Sequence, residues 1–124
     1  MEMNEEELLN YFDHSITDYK EGSSRLQKLL PKVAQGYFNF TEASFEEGAI
    51  GKKQKHLTAL GISIFAREEY CIMYHTKIAV ELGMNENELM EVIAISSALG
   101  GGTAFSQGVT LALDTFDYYS EPDH

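Results

Sequence analysis

Apolar residues along the chain recur at three- and four-residue steps, the spacing that lines one face of an α-helix. The first series is Leu8, Leu9, Phe12, Ile16 and Tyr19. Ahead of it, Asn4 followed by Glu5, Glu6 and Glu7 supplies a capping side chain, acids at the positive helix end and a glutamate at the reciprocal capping-box position. This predicts a helix from residue 4 to about 20, with residues 1–3 frayed and Gly22-Ser23-Ser24 as a break. Leu26, Leu29 and Leu30 then make a short apolar turn before Pro31, which suits the first position of a new helix. From residue 31 to about 45, Val33, Ala34, Tyr37, Phe38, Phe40 and Ala43 form a broad apolar face rather than a stripe, ended by Gly48 and Gly51.

The second half has cleaner punctuation. Residues 52–67 read as a helix with Leu57, Leu60, Gly61, Ile64 and Phe65 facing inward and the charges gathered ahead of Leu57. Another follows from 69 to about 82, with Gly83 in the position that closes a helix left-handed. Asn85 caps the next, with Glu88 three residues on, and Leu89, Val92, Ile93 and Ile95 carry it to Leu99. Gly100-Gly101-Gly102 interrupts, and Thr103 opens a last helix to about Tyr118, before a polar tail containing Pro122. The only β-prone stretches, 61–65 and 92–95, lie inside these longer periodic segments. The expectation is an all-α fold of about six helices in one domain spanning residues 1–124. The last two helices carry Ala94, Ser96, Ser97, Ala98, Ala104, Ala112 and the glycines, on apolar faces wide for one partner. They read as a subunit contact, with tight packing inside one subunit as the alternative.

Composition narrows the function classes. Hydrophobic residues make up 44% of 124, with only ten glycines and two prolines, so the chain is neither disordered nor fibrous. Nine Lys and Arg against twenty Asp and Glu give a net charge of −11, which repels phosphate backbones and anionic lipids. No nucleic-acid or membrane partner is expected, whereas a local pocket can still take a small anion. Cys71 is the single cysteine, which excludes an intramolecular disulfide and a four-cysteine metal centre. Neither a targeting leader nor a membrane-spanning stretch is expected, and the chain reads as soluble and cytoplasmic.

The candidate chemistry lies in Glu68-Glu69-Tyr70-Cys71-Ile72-Met73-Tyr74-His75. Cys71 falls in the first turn of its helix, and His75 follows by four, on the same face. A helix N-terminus favours thiolate, and an imidazole nearby can take its proton. Glu68 and Glu69 act in the opposite sense if they face the thiol; alternatively, Glu68 is a proton acceptor in the same cavity. A lone cysteine is also often just a small buried hydrophobe. One Cys and one His are too few for zinc unless His56 or another subunit contributes, so no metal and no cofactor are assigned. Lys52, Lys53 and Lys55 place His56 at the wet end of its helix, and His14 and His124 read as surface and tail residues. Tyr70 and Tyr74 flank the thiol and can donate hydrogen bonds to a bound group.

The string Tyr70-Cys71-Ile72-x-Tyr74-His75-Thr76, the step Gly83-x-x-x-x-Glu88-x-x-Glu91-Val92 and the turn Gly100-Gly101-Gly102-Thr103-Ala104 occur here in one order. In these, and over roughly residues 30–115, the chain resembles the carboxymuconolactone decarboxylase and alkylhydroperoxidase D superfamily. The resemblance implies an all-α subunit built around a helical hairpin and assembled as a trimer or hexamer. In the peroxidase branch a Cys-x-x-Cys pair opens the helix, a histidine stands four after the second cysteine, and a glutamate lies on the preceding helix. Here Cys71 and His75 match the second cysteine and the histidine, Glu68 stands in the first cysteine's place, and His56 replaces the glutamate. The chain is thus a single-cysteine variant, and a disulfide cycle cannot run within one subunit.

Three readings follow. The favoured one is a thiol-dependent peroxidase in which Cys71 reacts with a peroxide, His75 is the base, and an external thiol resolves the sulfenic acid. The second is a cofactor-free lyase acting on an anionic lactone, with His56, Glu68, Cys71 and His75 as a proton-transfer cluster and Arg67 or Lys55 holding the carboxylate. The third is a non-catalytic helical oligomer.

Overall fold

The computed structural model describes residues 5–122, with side chains from residue 11 onward, and the regular elements among them are all helices, in the order α1 (Glu5–Leu29), α2 (Pro31–Ser44), α3 (Lys52–Ala66), α4 (Glu69–Glu81), α5 (Glu86–Gln107), a π-helical turn (Gly108–Ala112) and α6 (Leu113–Ser120). The expected Asn4 cap, the frayed start and His124 lie outside the described residues. Two compact units divide the chain after Gly48.

In the first unit α1 packs on α2. The break expected at Gly22-Ser23-Ser24 does not occur: α1 runs through it to Leu29. A glycine inside a helix costs only about 1 kcal/mol, less than stopping and nucleating anew. What ends α1 is Pro31. The residue before a proline is pushed out of the helical region, and Leu30 sits at φ −134°, ψ 66°. Pro31 then opens α2 from its first turn. Among the described side chains of this unit, Phe12 and Ala34 are the buried apolar ones.

In the second unit α3 packs against both α4 and α5, and the π turn and α6 return onto α4. Leu60, Ile64, Ile72, Leu89 and Ile93 form its core with Ala79, Ala104 and Ala112. Arg67, at φ 58°, closes α3 by turning left-handed, and the Glu68 amide donates back to the Ser63 carbonyl at 3.1 Å. This sharp reversal brings the start of α4 beside the end of α3. Gly83 closes α4 at φ 96° as expected, and the Asn85–Glu88 capping box opens α5 with both reciprocal bonds present.

Past Leu99 the three glycines break the helix as expected: Gly101 leaves the helical region at φ 74°, ψ −155°, so α5 is two helices joined at a sharp kink. The second returns along the first, for Gly108 lies against Ile93, fifteen residues earlier, where a continuous helix would hold the two about 22 Å apart. A Cβ at Gly108 would stand 2.7 Å from Ile93 Cγ2. The segment from Glu86 to Ser120 is also long and apolar enough, by length and composition, to cross a membrane, contrary to the expectation of no such stretch. The reason is the uncharged run 92–113 between Glu91 and Asp114. Leu89, Ile93, Ser96 and Ala104 are buried, whereas Ile95, Leu99 and Phe105 stay exposed.

Candidate functional site

The chemistry gathers where α3 meets α4. His56, one turn into α3, and His75, in the middle of α4, meet through their rings with Nδ1 to Nδ1 at 3.0 Å. The placement of His56 at a wet helix end is therefore corrected: it is only 4% exposed. Lys53 reaches to Glu88 of α5 and Lys55 lies on another face of α3, while the 3.6-residue period turns His56 toward α4 along with Leu60 and Ser63, which are also buried.

Burial disfavours a charged imidazole on both residues. The His75 pKa is pulled down to about 4, chiefly by burial and further by His56. That of His56 is lowered by burial and then by the Lys52 ammonium. At neutral pH both rings are uncharged, so one Nδ1 donates a hydrogen and the other accepts it. Each ring's Nε2 then has the complementary character: one bears a hydrogen, the other a lone pair.

Tyr74 flanks the pair, its ring centroid 5.1 Å from that of His75 and 6.5 Å from that of His56, both edge-on. Tyr70, one turn earlier, stacks on Tyr74 at 6.0 Å. Both tyrosines keep part of their surface in solvent.

Cys71 and Glu68 form a separate arrangement one turn earlier on α4. Glu68 is the helix cap, and its carboxylate accepts the Cys71 amide at 2.7 Å. That amide is one of the donors by which a helix start would stabilise a thiolate, and a carboxylate already holds it. Burial pushes the half-buried Cys71 thiol up to about 12, and the facing Glu68 carboxylate adds to the rise as hydrogen-bond acceptor and as negative charge. Of the two roles that the spacing left open for Glu68, the geometry gives the one that keeps the thiol protonated.

Of the four site residues, the structure thus joins His56 to His75 and Glu68 to Cys71. Arg67 is exposed in its left-handed turn, and Lys55 is half-buried. The cation whose charge reaches His56 is Lys52, which the sequence reading named as a flank of His56 but not as a carboxylate-holding candidate. Its position four residues before His56 was the available signal. His14 is exposed and lies 3.7 Å from Asp18. Among the described residues no three of His, Cys, Asp and Glu converge as metal ligands. A groove of about 670 Å³ lies elsewhere, between α3 and α5, and is lined by none of the four site residues.

A family model matches residues 31–114 and is described as the carboxymuconolactone decarboxylase family. An uncharacterized protein of Cupriavidus necator is 23% identical over 87 residues, 70% of this chain and 77% of that protein. Uncharacterized protein 4 in the cox locus of Paracoccus denitrificans is 24% identical over 74 residues, 60% of this chain and 67% of that protein. Among solved structures, the crystal structure of apo-lpg0406, a carboxymuconolactone decarboxylase family protein from Legionella pneumophila, superposes with a TM-score of 0.85 at 26% identity, covering 90% of this chain and 99% of that one.

Proposed function

Because the chain belongs to the carboxymuconolactone decarboxylase family, matched over residues 31–114, we propose that it catalyses proton transfer on a small organic acid, of the decarboxylating type after which the family is named. The observation that carries this reading is the buried contact between His56 and His75. A neutral pair of this kind is a relay. A proton accepted at the unprotonated Nε2 of one ring is matched by passage of the shared Nδ1 hydrogen to the other ring and release of that ring's Nε2 hydrogen. No net charge stays in the buried site after the transfer.

In a decarboxylation, the substrate loses carbon dioxide and keeps the bonding electron pair on carbon. The relay delivers a proton to that carbon at one end and takes one from solvent at the other. Lys52, whose charge reaches His56, is the cation placed to attract the substrate carboxylate. Tyr70 and Tyr74 form a partly exposed wall beside the pair, where hydroxyl groups can hold a substrate oxygen. We further propose a homo-oligomer as the working form.

Thiol-dependent peroxide reduction ranks second, supported by Cys71 in the first turn of α4 and opposed by the Glu68 carboxylate that faces it. The two readings separate in one set of assays. With a carboxymuconolactone as substrate, carbon dioxide release should fall by about 100-fold in His56→Gln and His75→Gln, and persist in Cys71→Ser. In deuterium oxide the product should carry solvent deuterium at the carbon that bore the lost carboxyl group. Peroxide consumption with a small thiol that vanishes in Cys71→Ser, with the lactone untouched by wild type, would overturn the proton-relay reading in favour of the thiol.

A further inference from the structure

His56 is the residue on which a metal centre depended in the sequence, and the fold brings it to His75. In an N–H···N hydrogen bond the donor hydrogen and the acceptor lone pair both lie close to the line between the nitrogens. At 3.0 Å the two Nδ1 atoms therefore aim at one point between the rings. The neutral pair carries two ring hydrogens, and when both sit on Nε2 that point is faced by two lone pairs.

The donor set selects the ion. Among the described residues no group of three His, Cys, Asp or Glu converges, so Zn(II) and Cu(II), which favour four ligands, find too few. Hard cations take oxygen ligands, and the pair offers nitrogen. His56 is 4% and His75 9% exposed, and so dry a place favours the lowest charge that can still bind nitrogen. Cu(I) meets these conditions: it is monovalent, its d shell is filled, and it takes two ligands in line. Burial also keeps protons off both rings at neutral pH, so none competes for the lone pairs. The Lys52 charge opposes a cation here, but Lys52 is exposed and salt screens it.

We propose that His56 and His75 form a two-coordinate site for Cu(I), with the ion in the place of the shared hydrogen between the Nδ1 atoms. Metal–imidazole bonds of roughly 2 Å in line set the nitrogens about 4 Å apart, about 1 Å beyond their present separation. Rotation about the broad χ2 torsion of histidine lets each ring withdraw by half of that. The ion enters beside Tyr74, which is edge-on to both rings and 39% exposed. Binding moves the shared hydrogen to Nε2 of its own ring and releases no proton. It also leaves no Nε2 lone pair, so the loaded pair cannot relay. That loss of turnover rests on the proton-relay reading, whereas the binding does not.

The test is an anaerobic titration of the full chain against the coloured Cu(I) complex of bicinchoninate. Wild type and Cys71→Ser should each withdraw one equivalent of copper, whereas His56→Gln and His75→Gln should bind about 100-fold more weakly or worse. X-ray absorption on the copper-loaded wild type should show two nitrogen neighbours at about 2 Å and no sulfur. An indicator dye in weak buffer should register no proton released on loading. If either glutamine variant loses its far-ultraviolet circular dichroism, the spectrum and the proton count of the wild type decide.

A wild type that withdraws no copper overturns the site. So does binding lost in Cys71→Ser, a sulfur neighbour, or one proton released per copper, each of which marks a thiolate ligand. Equal affinity in a folded His56→Gln overturns it as well. Turnover of the lactone is a separate readout. A chain that binds copper as described but leaves the lactone untouched overturns the relay and keeps the site, and a chain that turns over the lactone but binds no copper does the reverse.

Discussion

His56 and His75 meet nitrogen to nitrogen, Nδ1 to Nδ1 at 3.0 Å, and both are almost fully removed from solvent. Protonating both rings would place two N–H groups head to head in a buried site. The contact therefore excludes a doubly charged pair, burial disfavours even a single charge, and this has a thermodynamic consequence.

The folded-state pKa of His75 is lowered to about 4, and that of His56 is lowered too, against about 6.5 for histidine in an unfolded chain. Between these values the unfolded chain binds protons that the folded chain refuses, so stability rises with pH through this window and falls as pH drops from about 6.5 toward 4. The slope reaches about 1.4 kcal/mol per pH unit for each histidine at most. Urea midpoints at pH 7.5, 6 and 5 should decline in that order, and His75→Gln should flatten the decline. A midpoint unchanged between pH 7.5 and 5 would show that the pair is not held neutral.

Cys71 should be a sluggish thiol. With its pKa up near 12, alkylation by iodoacetamide should stay slow at pH 7 and keep climbing past pH 9 without a plateau. Glu68→Gln removes the facing charge while leaving an oxygen to cap the Cys71 amide, so the alkylation rate at pH 8 should rise several-fold. Thermal unfolding should register a loss of about 1 kcal/mol or less for the weakened cap. A wild-type rate that levels off below pH 8 would contradict the geometry.

Gly22 and Gly101 test the backbone directly, because an added Cβ meets nothing within 4 Å at either. Gly22 lies inside α1 in helical conformation, so Gly22→Ala should stabilise by about 0.5–1 kcal/mol. Gly101 sits at φ 74°, ψ −155°, a region that L-residues avoid, and Gly101→Ala should cost about 1–3 kcal/mol. Chemical denaturation of the two variants should move in opposite directions.

Gly108 tests close approach instead. A methyl group there collides with Ile93, whose Cγ2 would be 2.7 Å and whose Cβ would be 3.3 Å away, and a β-branched side chain has little freedom to move. Gly108→Ala should destabilise by about 1–3 kcal/mol. In the double variant Gly108→Ala with Ile93→Ala the two losses should be less than additive, because the second substitution opens the space that the first one fills.

Helix starts and stops were legible wherever the cause is local. Pro31, the Asn85–Glu88 pair and Gly83 act within one turn of themselves, and the start of α2, the start of α5 and the end of α4 came out as read. So did the α4 start that puts Cys71 in a first turn and His75 on its face. Gly22-Ser23-Ser24 misled because a weak helix former breaks a helix only if nothing pays better on either side, and here the helix continued to a true stop at Pro31.

Contacts between elements were not legible in this way. The lysines around His56 describe its neighbours along one helix, whereas its burial depends on which face of α3 the α4 reversal covers, and that follows from the left-handed turn at Arg67. The spacing left Glu68 either to oppose the thiolate by its charge or to accept a proton, and did not reveal it as a cap. The choice came from the direction of its carboxylate, which closed on the Cys71 amide because α4 begins at the next residue. Periodicity and capping are short-range properties and survive in a one-dimensional string. Which nitrogen faces which, and which charge stands beside which thiol, are set by packing between residues nineteen apart as at His56 and His75, and exist only once the chain has folded.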